Sequence, residues 1–503
     1  MVTANQPVVV ATLGSQGIAK KAARGALALG GRQFLVHGLN IAGSITLARL
    51  LSPSDFGVYA IVMFLIQFLG SFGGTGLACN LIRVPYQPDE EEYSAVFTFQ
   101  QFGLALLVTG LWLASPYVVQ MYGLKSHYVW LFRMTAISLF ITSFMVIPQV
   151  RLERELGFAR LAIVETWQAV VFNATAVGLA LLGWGGMSFS VALIARSSAG
   201  VLAVYAVEPW RPHWRLDWPR AKPHLSFGFF YQSSQVISLI KDAVSPILVG
   251  VFAGTIAVGY ISWANMLASY PVVMMMVLHR IYLPAFSRLQ HDSEELSRLV
   301  EKVLLATNAL AAPLAVLTLV LVHPITILIF GAKWSVALPM FYLFWSANLF
   351  VPASLPLLGL LNALGKSRLC FGFTMLWAGL TWALGVPLVL WLGPIGLAWA
   401  AVGVQLSNFA LFTVARRRLH LRIFRPALYP WLFAALVGGG VLAFERFHPI
   451  ASVTTLVACF VLGLSAYVLG MAAKFQHEIR GLFLQEVTPL GTAKSVVAES
   501  RTW

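Results

Sequence analysis

Charge is scarce in this chain: only 11% of its 503 residues are Asp, Glu, Lys or Arg, and just 19 are acidic. Soluble domains carry roughly a quarter of their residues charged, so a soluble fold is excluded. Cysteine is scarcer still. Cys79, Cys370 and Cys459 stand singly in apolar segments, without the spacing of a disulfide framework or a metal site, and core packing is their expected role. No G-x-x-x-x-G-K-[ST] phosphate loop occurs, which excludes an ATP-driven pump built on one chain. Long polar stretches that could fold as an independent domain are also missing.

What is abundant is apolar surface: 59% hydrophobic residues, 34 Phe and 16 Trp, with a mean hydropathy of +0.79. Apolar stretches of about 20 residues, the length that crosses a bilayer, recur along the chain. Reading the polar breaks as turns gives about fourteen spans, from Ala26–Leu50 to Val453–Met471. The first is too long for a signal-peptide core and is expected to remain as helix 1. The net charge of +15 could point to nucleic acid, but its placement decides otherwise. Alternate connections hold Arg151, Arg154, Arg160, Arg220, Arg368 and Arg416, whereas the others hold little more than Lys125, Lys333 and Arg446. By the positive-inside rule the Arg-rich set and both termini are cytoplasmic.

The break rich in Pro, Trp and Arg around Pro209–Arg220 reads as an interfacial linker. It divides the chain into residues 1–208 with spans 1–6, a linker at 209–224, residues 225–418 with spans 7–12, and residues 419–503 with spans 13–14 and a tail. Each half opens with a polar stripe at helical spacing: Gln33, His37, Asn40 and Ser44 in span 1, and Tyr231, Gln235, Ser238, Asp242 and Ser245 in span 7. Two such stripes suit a two-lobed transporter with its site between repeats. The acidic clusters at Asp89–Glu92 and near Glu294 read as solvated faces.

Four bases, Arg32, Arg133, Arg196 and Lys241, fall inside spans. An Arg or Lys at membrane depth costs about 2.5 to 3.5 kcal/mol on insertion scales and faces water, a partner or a ligand, and several of one sign point to an anion. Arg32 and Arg133 lie near span ends, within snorkelling reach. Lys241 and Asp242 are adjacent, so they diverge by about 100° on a helix and need not pair. Asp242, on the span 7 stripe, is the coupling-ion candidate.

The first turn, Ala48-Arg49-Leu50-Leu51-Ser52-Pro53-Ser54-Asp55-Phe56-Gly57-Val58-Tyr59, together with Gly259-Tyr260, Asn265, Leu283-Pro284-Ala285-Phe286-Ser287 and Phe330-Gly331-Ala332-Lys333-Trp334, resembles the Wzx-like polysaccharide flippases. These belong to the multidrug/oligosaccharidyl-lipid/polysaccharide exporter superfamily. The resemblance implies an all-α polytopic protein with two six-helix lobes around a central cavity plus a C-terminal helix pair. It implies export of undecaprenyl-diphosphate-linked oligosaccharide across the bacterial inner membrane by alternating access, beside a polysaccharide polymerase and a chain-length regulator. It carries no catalytic motif, cofactor or metal. Arg32, Arg133, Arg196 and Lys241 then suit the diphosphate, and Gln33, Asn40 and Gln235 suit sugar hydroxyls. A cation-coupled multidrug exporter of the same superfamily would favour acids over bases inside. An integral-membrane glycosyltransferase or polymerase would need acids or His on longer outer loops.

Overall fold

In hydrocarbon a backbone must satisfy its own polar groups, and a helix does so within one segment. Every regular element among the described residues is helical. The computed structural model describes residues 36, 38–73, 78, 80–82, 84, 86–155, 157–273, 275–419 and 424–484. Helix α1 occupies residues 38–50, followed by α2 (Pro53–Gly73), α3 (Glu90–Met121), α4 (Tyr128–Arg154), α5 (Phe158–Leu181) and α6 (Met187–Val207). Then come α7 (Trp218–Asp242), α8 (Gly250–Val273), α9 (Met276–Arg288), α10 (Ser293–Phe330) and α11 (Ala332–Ala363). The chain ends with α12 (Ser367–Leu392), α13 (Ile395–Arg417), α14 (Phe424–Phe447) and α15 (Val453–Leu484).

Twelve helical stretches among the described residues are long and apolar enough to cross a membrane, and the chain is an all-α, multi-pass membrane protein. The expectation of about fourteen differs from this count in two places. Span 1 begins outside the described residues. Spans 7 and 8 meet in one apolar stretch, Leu239–Val273, yet the chain turns where the sequence placed a break: Gly254 has φ 79° and ψ 172°. Only glycine takes that backbone conformation without strain.

The helices gather into two compact units. One holds the described residues of Met1–Leu267, Ile329–Ser346 and Phe371–Leu406, the second those of Ala268–Leu328, Ala347–Cys370 and Ser407–Trp503. In the second, the terminal pair α14 and α15 packs on α10 through Ala312, Val316, Ala434, Tyr467 and Met471. Apolar side chains gain nothing from leaving lipid for lipid-like surroundings, so close packing and interhelical hydrogen bonds hold such helices. Trp431 Nε1 accordingly donates to Asn308 Oδ1 at 2.9 Å, and Thr307 Oγ1 to the Pro352 carbonyl at 2.9 Å.

In the first unit, the Arg-rich connections after α2, α4 and α6 meet. Asp89 caps α3 by accepting from the Glu92 N–H at 2.7 Å, and Glu90, Glu91 and Glu92 fill the first turn, where the helix dipole favours negative charge. These acids are not merely solvated, as the sequence alone implied. Glu90 accepts from Arg151 at 2.6 Å and from Trp210 Nε1 at 2.9 Å, and Asp89 from Arg220 at 2.9 Å. Glu208, nearly buried, takes Arg151 at 3.2 Å and Arg160 at 2.9 Å. Arg154 reaches the carbonyls of Leu81, Ile82, Val84 and Tyr86. The linker is thereby strapped down, with Trp210 and Trp214 against Phe97 and Trp218 against Phe99. At its end Asn80 Nδ2 donates to His224 Nδ1 at 3.2 Å, and burial pushes the His224 pKa down against the opposing pull of Glu92.

The charge-poor connections meet separately. Asp55 Oδ1 accepts from the Gly186 N–H at 2.8 Å and Tyr128 OH at 3.2 Å, tying together the starts of α2, α4 and α6. Its Oδ2 accepts from the Ser52 N–H at 3.1 Å while Ser52 Oγ accepts from the Asp55 N–H at 3.2 Å. That is a capping box in which Ser52 is the cap and Asp55 its reciprocal partner. Alternate connections therefore sit at separate ends of this unit, as the charge pattern requires.

Replacing Glu208 by Gln removes the carboxylate that Arg151 and Arg160 share, leaving them Glu90 and Glu155, and is expected to cost on the order of 1 kcal/mol. The check is a melting curve of the detergent-purified protein, which should fall by several degrees; an unchanged midpoint would deny Glu208 its anchoring role.

Candidate functional site

Lys241 and Asp242 stand at the point where a spanning helix loses its regularity. Helix α7 ends at Asp242, a π turn runs over Val244–Val249, and Pro246 lies buried inside it. Proline has no N–H to donate and its ring crowds the preceding turn, so the ladder is interrupted here, and π turns of this kind concentrate at functional sites. Two side chains secure the irregular stretch: Trp382 Nε1 donates to the Ile240 carbonyl at 2.8 Å, and Tyr122 OH to the Pro246 carbonyl at 3.0 Å. At the break, Lys241 Nζ pairs with Asp242 Oδ1 at 2.7 Å, the side chains being 38% and 58% exposed. The lysine folds across the 100° separation that the sequence reading took as a reason against pairing.

A second group surrounds α5. Asn173 Nδ2 donates to Asn40 Oδ1 at 3.1 Å and to the Ala169 carbonyl at 2.8 Å. One residue earlier on α5, Phe172 carries the exposed Arg196 guanidinium 6.0 Å from its ring centroid, within cation–π range. Tyr59 stacks on Phe189 at 3.9 Å beside them. Asn40 and Arg196, predicted independently, are thus brought to consecutive residues of one helix.

Arg133 is placed apart from both groups. Its guanidinium lies 5.0 Å from the Trp112 ring centroid and 5.4 Å from that of Trp130, and Nε donates to Ser115 Oγ at 3.3 Å. Arg32 and Gln33 lie outside the described residues, and Gln235 stands on α7 with its side chain outside the description.

Sequence reasoning missed Tyr122, Asn173 and Trp382. Pro246, four residues after Asp242 in the middle of a span, was the available signal that the helix would break and need outside donors. It also missed the tight closure at the charge-poor end. A Cβ on Gly57 would stand 1.8 Å from the Thr255 carbonyl oxygen, and a Cβ on Gly259 would stand 1.9 Å from that of Pro53. Each glycine meets the residue four before the other, a reciprocal crossing of α2 and α8 with a near two-fold relation. Ser54 Oγ and Thr255 Oγ1 hydrogen-bond beside it at 2.9 Å. Lys333 Nζ donates to the carbonyls of Arg49 and Leu51 at 2.8 and 2.6 Å, and Trp334 Nε1 to that of Ala48 at 2.9 Å. These donors satisfy the carbonyls that α1 leaves open at its C-terminus, where a cation is also favoured by the dipole.

A broken spanning helix with charge at the break occurs in membrane transporters, and solved structures share the fold of this chain. The chain is similar to the lipid II flippase MurJ in an inward closed conformation, with a TM-score of 0.71 and 15% identity over 90% of this chain and 100% of that one. It is also similar to an inward-facing multidrug-resistance MATE transporter of the MOP superfamily, with a TM-score of 0.55 and 15% identity over 76% of this chain and 95% of that one. The chain belongs to the polysaccharide biosynthesis protein family, whose model matches residues 46–339. Its relatives include the succinoglycan biosynthesis transport protein ExoT of Rhizobium meliloti (strain 1021), 25% identical over 332 residues, covering 66% of this chain and 67% of that protein. The lipopolysaccharide biosynthesis protein WzxC of Escherichia coli (strain K12) is 22% identical over 353 residues, covering 68% and 70%.

The glycine crossing makes a direct demand. Cysteines at Ser54 and Thr255 should cross-link readily in native membranes, and adding Gly259→Val should reduce the yield at least tenfold by forcing the backbones apart; equal yields with and without the valine would contradict the crossing.

Proposed function

We propose that the protein is a flippase that carries undecaprenyl-diphosphate-linked oligosaccharide repeat units across the bacterial inner membrane for surface or exopolysaccharide synthesis. The observation that carries the reading is a charged pair at a helix break inside a span, in a member of the polysaccharide biosynthesis family. The names of the relatives, succinoglycan transport and lipopolysaccharide biosynthesis, agree with such a substrate, and the likeness in fold to a lipid II flippase supplies a suitable frame.

In this reading residues 1–208 and 225–418 act as two lobes around a central cavity, joined by the linker at 209–224 and followed by the pair in 419–503. The Arg-rich end and both termini are cytoplasmic. The two lobes rock between inward and outward access with no covalent chemistry. Arg32, Arg196 and Lys241 attract the diphosphate, Arg133 stays with Trp112 and Trp130, Gln33, Asn40 and Gln235 serve the sugars, and the lipid tail stays in the bilayer. Asp242 is the candidate for ion coupling. The crossing at Gly57 and Gly259 is the contact that parts when the outer end opens. A polymerase and a chain-length regulator would take up the exported units. Likeness to a MATE transporter favours one other reading, a cation-coupled multidrug exporter.

Deleting the gene separates the two: a flippase leaves lipid-linked repeat units accumulating on the cytoplasmic leaflet, whereas normal surface polysaccharide without accumulation points to the exporter. A charge-assisted hydrogen bond is worth about 1.5 to 3 kcal/mol, or roughly tenfold to hundredfold in binding. Arg196→Ala and Arg32→Ala are therefore each expected to lower export by about that factor at normal protein abundance, and losses that track abundance would make both residues structural.

A further inference from the structure

The ion pair at the helix break is in an unusual place for two exposed charges. Counting back from the turn at Gly254, Lys241 lies about 20 Å along the chain axis, well inside a hydrocarbon core of about 30 Å. Both side chains are substantially exposed there. Ile240, exposed as well, points about 200° away from Asp242 on the same helix turn. An apolar side chain can meet lipid, but an exposed ion pair at that depth has to meet water or a polar ligand. The face of α7 carrying Lys241 and Asp242 is therefore open to an aqueous path.

The pairing itself is weakly enforced. Helix geometry holds neighbouring residues about 100° apart, so Lys241 has to bend its flexible stem round to reach Asp242. Exposed pairs of this kind contribute little net stability, because water competes for both partners. An ammonium on a long stem is also a mobile point charge rather than a fixed fork. Such a lysine exchanges one oxyanion for another readily. A diphosphate brings more negative charge and more acceptor oxygens than a single carboxylate, and so competes well for it.

We infer that Asp242 is a built-in competitor for the anion site of Lys241: it neutralises the lysine in the empty protein, is displaced by a lipid diphosphate headgroup, and re-pairs with the lysine to release it. The inference rests on the flippase reading and deepens it by assigning the two residues opposite tasks. No bond is made or broken; one ion pair replaces another. Without a competing carboxylate beside it, Lys241 would release a polyvalent anion more slowly. With Asp242 beside it, the site binds the diphosphate without trapping it. The adjacent π turn, held by Trp382 and Tyr122 rather than by a regular ladder, fixes the backbone while the lysine swings.

The test uses the purified full-length protein in nanodiscs, with a short-chain polyprenyl diphosphate as probe and the matching polyprenol as neutral control. Binding and release are measured for the wild type, Asp242→Asn and Lys241→Gln. The exchange predicts that Asp242→Asn binds the diphosphate about two- to fivefold more tightly than the wild type, the most that an exposed pair can withhold, and releases it correspondingly more slowly. Lys241→Gln should lose most of the preference for diphosphate over polyprenol. If Asp242→Asn binds no more tightly than a wild type that does prefer the diphosphate, the exchange is overturned and the flippase reading stands. If the wild type shows no preference for diphosphate over polyprenol, both are overturned. Should Asp242→Asn fail to fold, Asp242→Ser makes the same comparison.

Discussion

The organising constraint in this molecule is that hydrocarbon does not accept unpaired charge or unpaired backbone. Only 11% of the chain is charged, and many of the charges among the described residues have named partners. Arginines and acids that leave the spans tie the linker to the start of α3. Lys333, at the opposite end of the first unit, is used on carbonyls that α1 leaves open. Where the ladder breaks inside a span, Tyr122, just past the end of α3, and Trp382 of α12 supply donors. Charge left inside a span after these uses is the charge that function has to explain.

Rigid and changeable contacts consequently differ in kind. The strap at the Arg-rich end is a network of multiply bonded groups, Glu208 with two arginines and Arg154 with four carbonyls, and breaking it would strand several charges at once. The crossing of α2 and α8 relies instead on the absence of two side chains, so the helices lie backbone to backbone with one hydroxyl pair beside them. The ionised group beside it, Lys333, is held by two backbone carbonyls rather than by an acid.

Much of this was legible in the sequence. Span positions, the alternation of Arg-rich and charge-poor connections, and the turn near Gly254 follow from apolar length and charge placement, which are local properties. Asn40 and Arg196 were singled out by polarity at depth and meet neighbouring residues of α5. What the sequence could not give is pairing between distant segments. Whether Lys241 would use its neighbour Asp242 depends on how far a flexible stem folds back. That Gly57 and Gly259 touch depends on two helices crossing 202 residues apart, a separation that can only be guessed from the loose likeness of Gly57 and Tyr59 to Gly259 and Tyr260. The acids at Asp89–Glu92 looked solvated because their partners come from positions more than 60 residues away.

The most direct test of the central claim is transfer itself. Purified protein is reconstituted into liposomes carrying a lipid-linked oligosaccharide whose sugar can be modified only by an enzyme added outside. Protein-dependent access to the inner-leaflet half of the lipid, well above the rate in protein-free liposomes, is the predicted result. Folded, correctly inserted protein that leaves that half inaccessible would contradict the account.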